Sequence, residues 1–509
     1  MKAFLMYRNR DFDAQARPTV NKRALVQDLE LGTLFNAMAL GDGFLLDVAG
    51  KAVLFGVDTV DTILYRQAIL NDCLKNPTVV REIYTIAVDA IQGEKKAYWG
   101  GSIGRYPDTI LSRGIAVLDF FVGMLKRLRT VVDAHAGEFD SEGFTTLFAL
   151  LQTEVSDEYL AIVQSYLTEL RFRDGVLISA ELGQGLKGAD YTLRKPNRKQ
   201  GWRERIFGDS RPGYTIYIDE RDDNGAKAQS ELRNRGITLA ANALAQSTDH
   251  ILSFFTLLRI ELAFYIGCLN LHEQLAQLGE PVCFPIPMEP GERRHSFKGL
   301  YDVSLLLTMR HEVVGNNVDA DNKDLVIITG ANQGGKSTFL RSIGLAQLMM
   351  QCGMFAPAEF FRANICDGLF THYKREEDVT MQSGKLDEEL GRMSAIVDNL
   401  KPNSLVLFNE SFAATNEREG SEIAKQVVSG LLDKGIKVFF VTHLYEFARG
   451  FYDMHMATAI FLRAERQADG ARTFRLSEGE PLQTSYGRDI YDRIFGVDNT
   501  AVEKPSMIL

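Results

Sequence analysis

The segment DLVIITGANQGGKSTFLRSIGLAQLMM, residues 324–350, decides the fold of the second half of the chain. An apolar run typical of a buried strand leads into GANQGGKST, which satisfies GxxxxGK[ST], and a helical stretch follows. This order predicts a phosphate-binding loop: glycines let backbone amides surround phosphate oxygens, Lys336 supplies a positive charge and Ser337 offers a hydroxyl to Mg²⁺. The predicted nucleotide-binding residues are Gly330, Asn332, Gly334, Gly335, Lys336, Ser337 and Thr338.

Two later strands end in polar residues. SLVLFNE, residues 404–410, and IKVFFVTH, residues 436–443, alternate with helical stretches, which predicts a mainly parallel sheet of βαβ units. Glu410 is the predicted base for the attacking water, and His443 is predicted to position that water or to sense the terminal phosphate, with a structural histidine as the alternative. Asn409 stands where a carboxylate commonly supports magnesium, and we assign it with Ser337 to the predicted metal site.

The turn after Glu410 leads into another helix. Asn416 followed by Glu419 predicts an N-cap, and we expect the helix to run to Gly435. A helix N-terminus attracts anions, but this one follows Glu410 too closely to reach the phosphate of its own subunit easily. Thr415 and Asn416 are therefore predicted to serve the nucleotide of a partner subunit.

The region before the P-loop is predicted to be mostly helical. Between about 115 and 290 apolar residues recur at steps of three and four, most clearly in a run from about 235 to 279. A continuous helix of that run would be a rod of roughly 65 to 70 Å, which indicates a lever. The apolar stripe consists of Ile251, Phe255, Leu258, Leu262, Tyr265 and Leu269.

A different insert, at about 173–228, interrupts the helices. It contains two strand-like stretches, GVLISAEL and GYTIYIDE, on either side of LRKPNRKQGWRERIFGDSR. Basic side chains with Trp202 and Phe207 between them favour contact with a nucleic-acid backbone, although a solvated loop can have the same composition. The candidate DNA-binding residues are Arg194, Lys195, Arg198, Lys199, Arg203 and Arg205.

Composition limits the class of protein. The chain has 509 residues, enough for about three domains, and its formal net charge of −10 argues against a globally basic nucleic-acid binder. Five cysteines without a CxxC pair are typical of a reducing compartment. The longest apolar stretch, residues 251–271, contains Arg259, Glu261 and Asn270, which are costly in lipid. We therefore expect a cytoplasmic protein without a membrane span.

Several motifs, in order along the chain, resemble the ATPase domain of the MutS family. They are GANQGGKST, FAPAEFFRANICDGLFTHY, SLVLFNES, TNEREG, FVTH and TSYGRDIYDRIFG, and they cover about residues 295–497. TILYRQAILNDCLKNP resembles the core region of that family more weakly. The resemblance implies a multidomain fold with part of the core at 1–115, α-helical core and lever arms with the β-containing insert at 116–290, and an α/β P-loop ATPase domain of ABC type at 291–509.

The same resemblance implies a dimeric, ATP- and Mg²⁺-dependent clamp on DNA. Each P-loop of that family meets the signature loop of the partner subunit, so Thr415 and Asn416 would face the partner's γ-phosphate, and Asn316 within VVGNN would lie against the adenine. The implied partners are a second copy of the chain and mismatched, distorted or branched DNA, bound without sequence preference. Two alternatives stay open: a nucleotide-gated binder of a ribonucleoprotein, and a switch that binds ATP and scarcely hydrolyses it.

Three departures from the family pattern bear on these expectations. The Phe-x-Glu motif with which mismatch readers wedge into DNA occurs only at Phe408–Glu410, inside a predicted strand, so we expect the mismatch-reading domain to be absent. The insert at 173–228 is short for the helical clamp of the family. The loop written GRGTST in relatives reads FAATNE here, and with Asn409 in the metal site we expect slow turnover.

Overall fold

The computed structural model describes residues 2–15, 21–99, 106–173, 175–195, 214–375, 384–467 and 471–483. In chain order, its α-helices are α1 (Lys22–Asp28), α2 (Leu31–Ala39), α3 (Gly43–Leu54), α4 (Val60–Lys75), α5 (Pro77–Trp99), α6 (Pro107–His135), α7 (Glu142–Glu154), α8 (Asp157–Glu169), α9 (Asp223–Leu278), α10 (Val303–Met309), α11 (Lys336–Gln351), α12 (Lys385–Val397), α13 (Glu417–Asp433) and α14 (Tyr445–Asp453). The strands are β1 (Leu177–Leu182), β2 (Gly188–Arg194), β3 (Ile286–Met288), β4 (His295–Leu300), β5 (Asn316–Asp319), β6 (Leu325–Gly330), β7 (Phe360–Asn364), β8 (Leu369–Tyr373), β9 (Leu405–Asn409), β10 (Lys437–Val441), β11 (Ala459–Arg466) and β12 (Arg472–Glu478). Short 3₁₀ helices lie at Ala136–Glu138, Gln184–Leu186 and Pro290–Glu292.

These elements form two compact units with other bounds than the three predicted zones. The first unit takes its described residues from Met1–Leu5, Asn9–Phe12 and Asn76–Leu262, and the second from Met6–Arg8, Asp13–Lys75 and Ala263–Leu509. Helices α1–α4 thus belong to the unit that holds the P-loop, although the sequence places them at the other end of the chain. The amide of Asn270 illustrates this grouping, because it donates a hydrogen bond to the carbonyl of Met38 at 2.8 Å.

The first unit has a helical core. Apolar residues of α6, α8 and the first half of α9 pack together and are fully buried or nearly so. Pro107 begins α6, where the missing backbone N–H costs no helical hydrogen bond. Ser156 caps α8 by accepting a hydrogen bond from the backbone N–H of Tyr159 at 3.2 Å. The predicted helices of this region are therefore confirmed.

The described part of the insert contains one antiparallel hairpin. β1 pairs with β2 from Leu177 opposite Arg194 to Leu182 opposite Gly188, so the strand expected in GVLISAEL is confirmed. The strand expected in GYTIYIDE is wrong, because its described residues have no strand structure. The side chains of Tyr214 and Tyr217 are 97% and 92% exposed, so the alternating pattern here marks no buried sheet face.

Helix α9 is longer than the sequence pattern predicts. It begins at Asp223 and contains 56 residues, which corresponds to about 84 Å at 1.5 Å per residue. The buried apolar residues of α9 begin only near Ile237, and the helical turns before it are polar. Hydrophobic periodicity therefore could not reveal these first turns. Ala, Gln, Glu, Lys and Arg in these turns have high helix propensity, which explains the extension.

The apolar part of α9 lies inside protein. Among the described residues α9 is the one helix long and apolar enough to cross a membrane, yet 61% of its most apolar stretch is buried. Glu261 in that stretch is fully buried and accepts hydrogen bonds from the backbone amides of Leu5 and Phe12 at 2.6 and 3.0 Å. A carboxylate bound by backbone amides is expected in the core helix of a folded unit.

The second unit is built on a six-stranded sheet of order β12-β11-β6-β10-β9-β8. The five strands from β11 to β8 are parallel, and β12 is an antiparallel edge strand. The strands β6, β8 and β10 are buried along their whole length, as expected for a parallel sheet that is covered on both faces. A second sheet of order β3-β7-β4-β5 belongs to the same unit. The mainly parallel sheet predicted from the sequence is confirmed.

Candidate functional site

The loop between β6 and α11 packs against β11 at two glycines. Gly330 has a φ of 106°, and a Cβ at this position would lie 2.8 Å from the backbone nitrogen of Ala464. A Cβ at Gly334 would lie 2.8 Å from the Cβ of Ala464. Gly335, with a φ of 85°, is the N-cap of α11. The glycines of the motif are therefore required both by close approach to β11 and by the conformation from which the helix begins.

The carboxyl ends of three neighbouring strands bring the predicted chemical groups together. Val441 on β10 pairs with β6 on one side and with Asn409 of β9 on the other, so the ends of all three strands lie at one edge. The Ser337 hydroxyl donates a hydrogen bond to Asn409 Oδ1 at 3.0 Å. His443 Nε2 lies 3.1 Å from Glu410 Oε1. The two predicted metal-site residues are thus in contact, and so are the two predicted catalytic residues.

The charges of the site are set by burial and by these contacts. Burial lowers the pKa of Lys336 to about 8, against the opposing effect of the Glu410 carboxylate. Lys336 Nζ donates hydrogen bonds to the carbonyls of Gly330 and Ala331 at 3.2 and 2.9 Å. The pKa of Glu410 is lowered, chiefly by its hydrogen bond to His443. Glu410 is therefore ionised at neutral pH, as a proton acceptor must be.

A cavity of about 480 Å³ lies over the P-loop. It is lined by the polar loop residues 332–338 and Glu410, and also by apolar side chains that include Leu305, Val313 and Phe474. Such a cavity is of the size that encloses a small ligand, and this lining suits a molecule that has both phosphates and an aromatic base. Ser337 and Asn409 offer oxygen donors beside the loop, which fits Mg²⁺.

Asn316 lies in this cavity wall, but its side chain is bound at both ends. Its amide nitrogen donates to the carbonyl of Phe474 at 3.2 Å, and its oxygen accepts from the backbone N–H of Leu476 at 2.8 Å. Asn316 therefore fastens β12 to β5. A direct contact between Asn316 and adenine stays a prediction, whereas its role in placing Phe474 at the cavity follows from these bonds.

Two family models match the chain. One, described as the MutS2 N-terminal domain, matches residues 58–278, and the other, described as MutS domain V, matches residues 326–506. Together they take in most of the chain. The chain belongs to the MutS family. The second match contains the P-loop and the strand ends that carry the predicted MutS-type catalytic residues.

Curated relatives show the same likeness over part of their length. The DNA mismatch repair protein MutS of Petrotoga mobilis is 30% identical over 214 residues, which are 40% of this chain and 26% of the relative. Endonuclease MutS2 of Lacticaseibacillus casei is 31% identical over 204 residues, 39% of this chain and 25% of the relative. MutS protein homolog 4 of Mus musculus is 28% identical over 197 residues, 37% of this chain and 21% of the relative. The matched segments thus span about a quarter of these MutS-family relatives.

The signature-loop residues expected from the MutS resemblance lie at the start of α13. Asn416 Oδ1 accepts a hydrogen bond from the backbone N–H of Glu419 at 3.0 Å, which confirms the predicted N-cap. The Thr415 hydroxyl donates to the Glu419 carboxylate at 2.6 Å. Both side chains thus stabilise the first turn of their own helix. Their contact with a nucleotide of a partner subunit stays a prediction.

Only part of the predicted DNA-binding patch lies in the described chain. Arg194 Nε donates to the Ser179 hydroxyl at 2.8 Å, and Lys195 Nζ lies 3.0 Å from the Glu169 carboxylate. Arg198, Lys199, Arg203 and Arg205 lie outside the described residues. DNA contact by this patch of the MutS-family chain therefore stays a prediction.

Three residues near the site were not found from the sequence. Arg472 on β12 donates from Nε to the carbonyl of Asn332 at 3.1 Å and so holds the P-loop. Phe474 lines the cavity and lies beside Gly335 of the P-loop. His372 on β8 lies behind the turn that carries Glu410. Hydrophobic alternation marks such residues as parts of strands, but it does not say which distant loop they meet.

Proposed function

We propose that this MutS-family protein is an ATPase that uses ATP and Mg²⁺ and turns over slowly. One observation carries the proposal: Lys336 and Ser337 of the P-loop lie in one cavity wall with Glu410, which is ionised and bonded to His443. The amides of the loop and Lys336 would hold the phosphates. Glu410 would accept the proton of the attacking water, and His443 would hold the carboxylate in place.

Magnesium would be held beside Ser337 and Asn409. When bound, it would supply positive charge to the phosphate oxygens. Asn409 contributes an amide oxygen and no negative charge, so this site attracts a divalent cation less strongly than one with a carboxylate at the same position. This supports slow turnover, and it also supports the second candidate, an ATP-binding switch with little hydrolysis.

The test is turnover of Mg-ATP by the purified full chain. We expect slow hydrolysis in the wild type, at least tenfold less in Glu410→Gln, and unchanged nucleotide affinity in that variant, because the amide keeps the shape and removes the base. Lys336→Ala should lose nucleotide binding itself. Equal turnover by the wild type and Glu410→Gln would refute the assigned base. Tight binding without turnover in the wild type would favour the switch.

We further propose that the nucleotide cycle of a dimer controls binding to distorted or branched DNA. The names and family of the relatives support this, as do the long helix α9 and the basic residues at the end of β2. Affinity for homoduplex, mismatched and four-way DNA, measured with and without ATP at several salt concentrations, tests it. Binding should weaken steeply with salt, because phosphate contacts release counterions. No affinity for any of these DNAs at low salt would sink the DNA proposal.

A further inference from the structure

The turn that carries Glu410 has an unusual backbone. Glu410 and Phe412 have φ values of 53° and 63°, both in the left-handed region, and Ser411 between them is fully buried. Residues with a Cβ persist in this region only where their surroundings hold them there. The carbonyl of Phe412 is also closely covered, since a Cβ at Gly420 would lie 2.3 Å from its oxygen. The conformation of this turn is therefore imposed by its neighbours.

His372 is a neighbour that contacts two residues of this turn. It is fully buried on β8, and its Nδ1 lies 2.7 Å from the Ser411 hydroxyl oxygen. The same hydroxyl lies 2.5 Å from the carbonyl oxygen of His372. The imidazole ring also stacks on Phe412, with centroids 5.3 Å apart and planes 21° apart. One side chain thus contacts both residues that follow Glu410.

The other ring nitrogen of His372 fixes the orientation of the ring. Nε2 lies 3.0 Å from the backbone carbonyl of Glu389 on α12, and a carbonyl only accepts, so Nε2 carries the proton. Burial lowers the pKa of His372 to about 4, and the positive charges of Arg392 and Arg375 act in the same direction. The ring is therefore neutral at physiological pH, and the single proton of the Ser411 hydroxyl is shared between Nδ1 and the carbonyl oxygen of His372, which both accept.

We propose that His372 is a positioning residue for Glu410, because its contacts with Ser411 and Phe412 fix the left-handed turn that aims the Glu410 carboxylate into the nucleotide cavity. The proposal rests on the proposed ATPase function. The Glu410 side chain lines the cavity and contacts His443, and the backbone N–H of Glu410 donates to the carbonyl of Val441 at 2.9 Å. The His372 contacts hold the other side of the same turn. A misplacement of a base by about 1 Å can reduce a rate by up to about a hundredfold.

Two substitutions separate the two ring contacts. His372→Asn places an amide near the position of Nδ1, which keeps the contact with Ser411 and gives up the contact with Glu389. His372→Gln places an amide near the position of Nε2, which keeps the contact with Glu389 and gives up the contact with Ser411. We expect His372→Gln to lower kcat about tenfold with KM and nucleotide affinity unchanged, and His372→Asn to stay within about threefold of the wild type.

The order of these effects distinguishes positioning from mere packing. Asn is the smaller residue and leaves more empty space beside Phe412, so it should lower the melting temperature more than Gln does. If His372 only fills space, His372→Asn would therefore be the less active variant, which would overturn the proposal. Ser411→Ala removes the hydroxyl and with it this shared hydrogen bond, and it should lower kcat at least as much as His372→Gln. The double variant His372→Gln, Ser411→Ala should lose no more of kcat than Ser411→Ala alone, because both changes remove the same contact.

Hydrogen exchange tests the same contact without turnover. Backbone amides in residues 409–413 should exchange faster in His372→Gln than in the wild type, and at the wild-type rate in His372→Asn. If the wild type does not hydrolyse ATP, the proposed function fails, and this measurement still decides the role of His372. Equal exchange in all three proteins would overturn the proposal, even if the wild type proves to be an active ATPase.

Discussion

At the scale of single residues, the P-loop lysine couples nucleotide binding to pH. Lys336 is almost fully buried, with its pKa lowered to about 8. Below pH 8 it is already protonated in the free protein, so binding takes up no proton there. Above pH 8 the amine is mostly neutral in the free protein. Binding of the phosphates raises its pKa, so the amine takes up a proton when the nucleotide binds. Nucleotide affinity should therefore fall as pH rises above 8, by up to about tenfold per pH unit.

Calorimetry in two buffers of different ionisation enthalpy at pH 8.5, chosen about half a unit above that pKa, measures the uptake directly. Lys336→Arg keeps the positive charge but stays protonated at pH 8.5, so the binding that it retains should show no uptake. Lys437→Met is a matched control, because burial also lowers the pKa of Lys437 to about 8, and Lys437 does not line the cavity. Binding heats that do not depend on the buffer in the wild type would refute this explanation.

In the proposed metal site, Asn409 would set how strongly magnesium is held. It contacts Ser337 and brings no charge. Asn409→Asp should lower the magnesium concentration that half-saturates nucleotide binding by several-fold, since a carboxylate attracts the cation at nearly the same position. A fluorescent ATP analogue titrated with Mg²⁺ measures this without hydrolysis. Asn399→Asp, on a distant exposed turn, adds the same charge as a control, and an equal effect of both changes would contradict the assignment.

At the scale of elements, β12 completes the cavity from the edge of the sheet. Two hydrogen bonds to Asn316 hold this strand where Phe474 lines the cavity. Asn316→Ala should lower the free energy of unfolding by about 1–3 kcal/mol, because it removes both bonds and leaves buried backbone groups unpaired. It should also weaken nucleotide binding, because Phe474 is no longer held.

Phe474→Ala separates these two effects. Phe474 is half exposed, so its loss should weaken nucleotide binding and leave the unfolding free energy nearly unchanged. Urea denaturation and nucleotide titration measure the two quantities. Nucleotide affinity that is unchanged in both variants would show that β12 does not take part in binding.

The elements also show how far the sequence alone could lead. The N-cap at Asn416 was predicted correctly, and the strand and helix around the P-loop and the strand that leads to Glu410 lie where the sequence places them, because each depends on residues close together in the chain. The contact of β12 with Asn316 joins residues more than 150 positions apart, and no periodicity encodes it. The prediction of a strand at Tyr214 was wrong for a related reason. Alternation of apolar and polar residues does not show whether a neighbouring strand is present to pair with.

At the scale of the whole molecule, the proposed ATP site lies in a unit assembled from distant segments. Helices α1–α4 belong with the sheet, and Ser304 on the cavity-lining helix α10 donates to the carbonyl of Glu30 at 3.3 Å. Arg375, just after β8, pairs with Asp28 on α1 at 2.6 Å. Elements of the proposed nucleotide site therefore contact α1–α4 directly.

The proposed dimer gives the last prediction, because a shared site can be divided between two inactive proteins. Lys336→Ala should abolish nucleotide binding in its own P-loop. The double variant Thr415→Val, Asn416→Ser removes the side chains proposed to meet the partner's phosphate, while Ser still caps α13. Each protein alone should be nearly inactive.

In an equal mixture, half the dimers are mixed and each has one intact site, so turnover should recover to about a quarter of the wild-type value. Recovery requires subunit exchange, which fluorescence energy transfer between labelled subunits can follow. If exchange occurs without recovery, then Thr415 and Asn416 act within their own subunit or not at all.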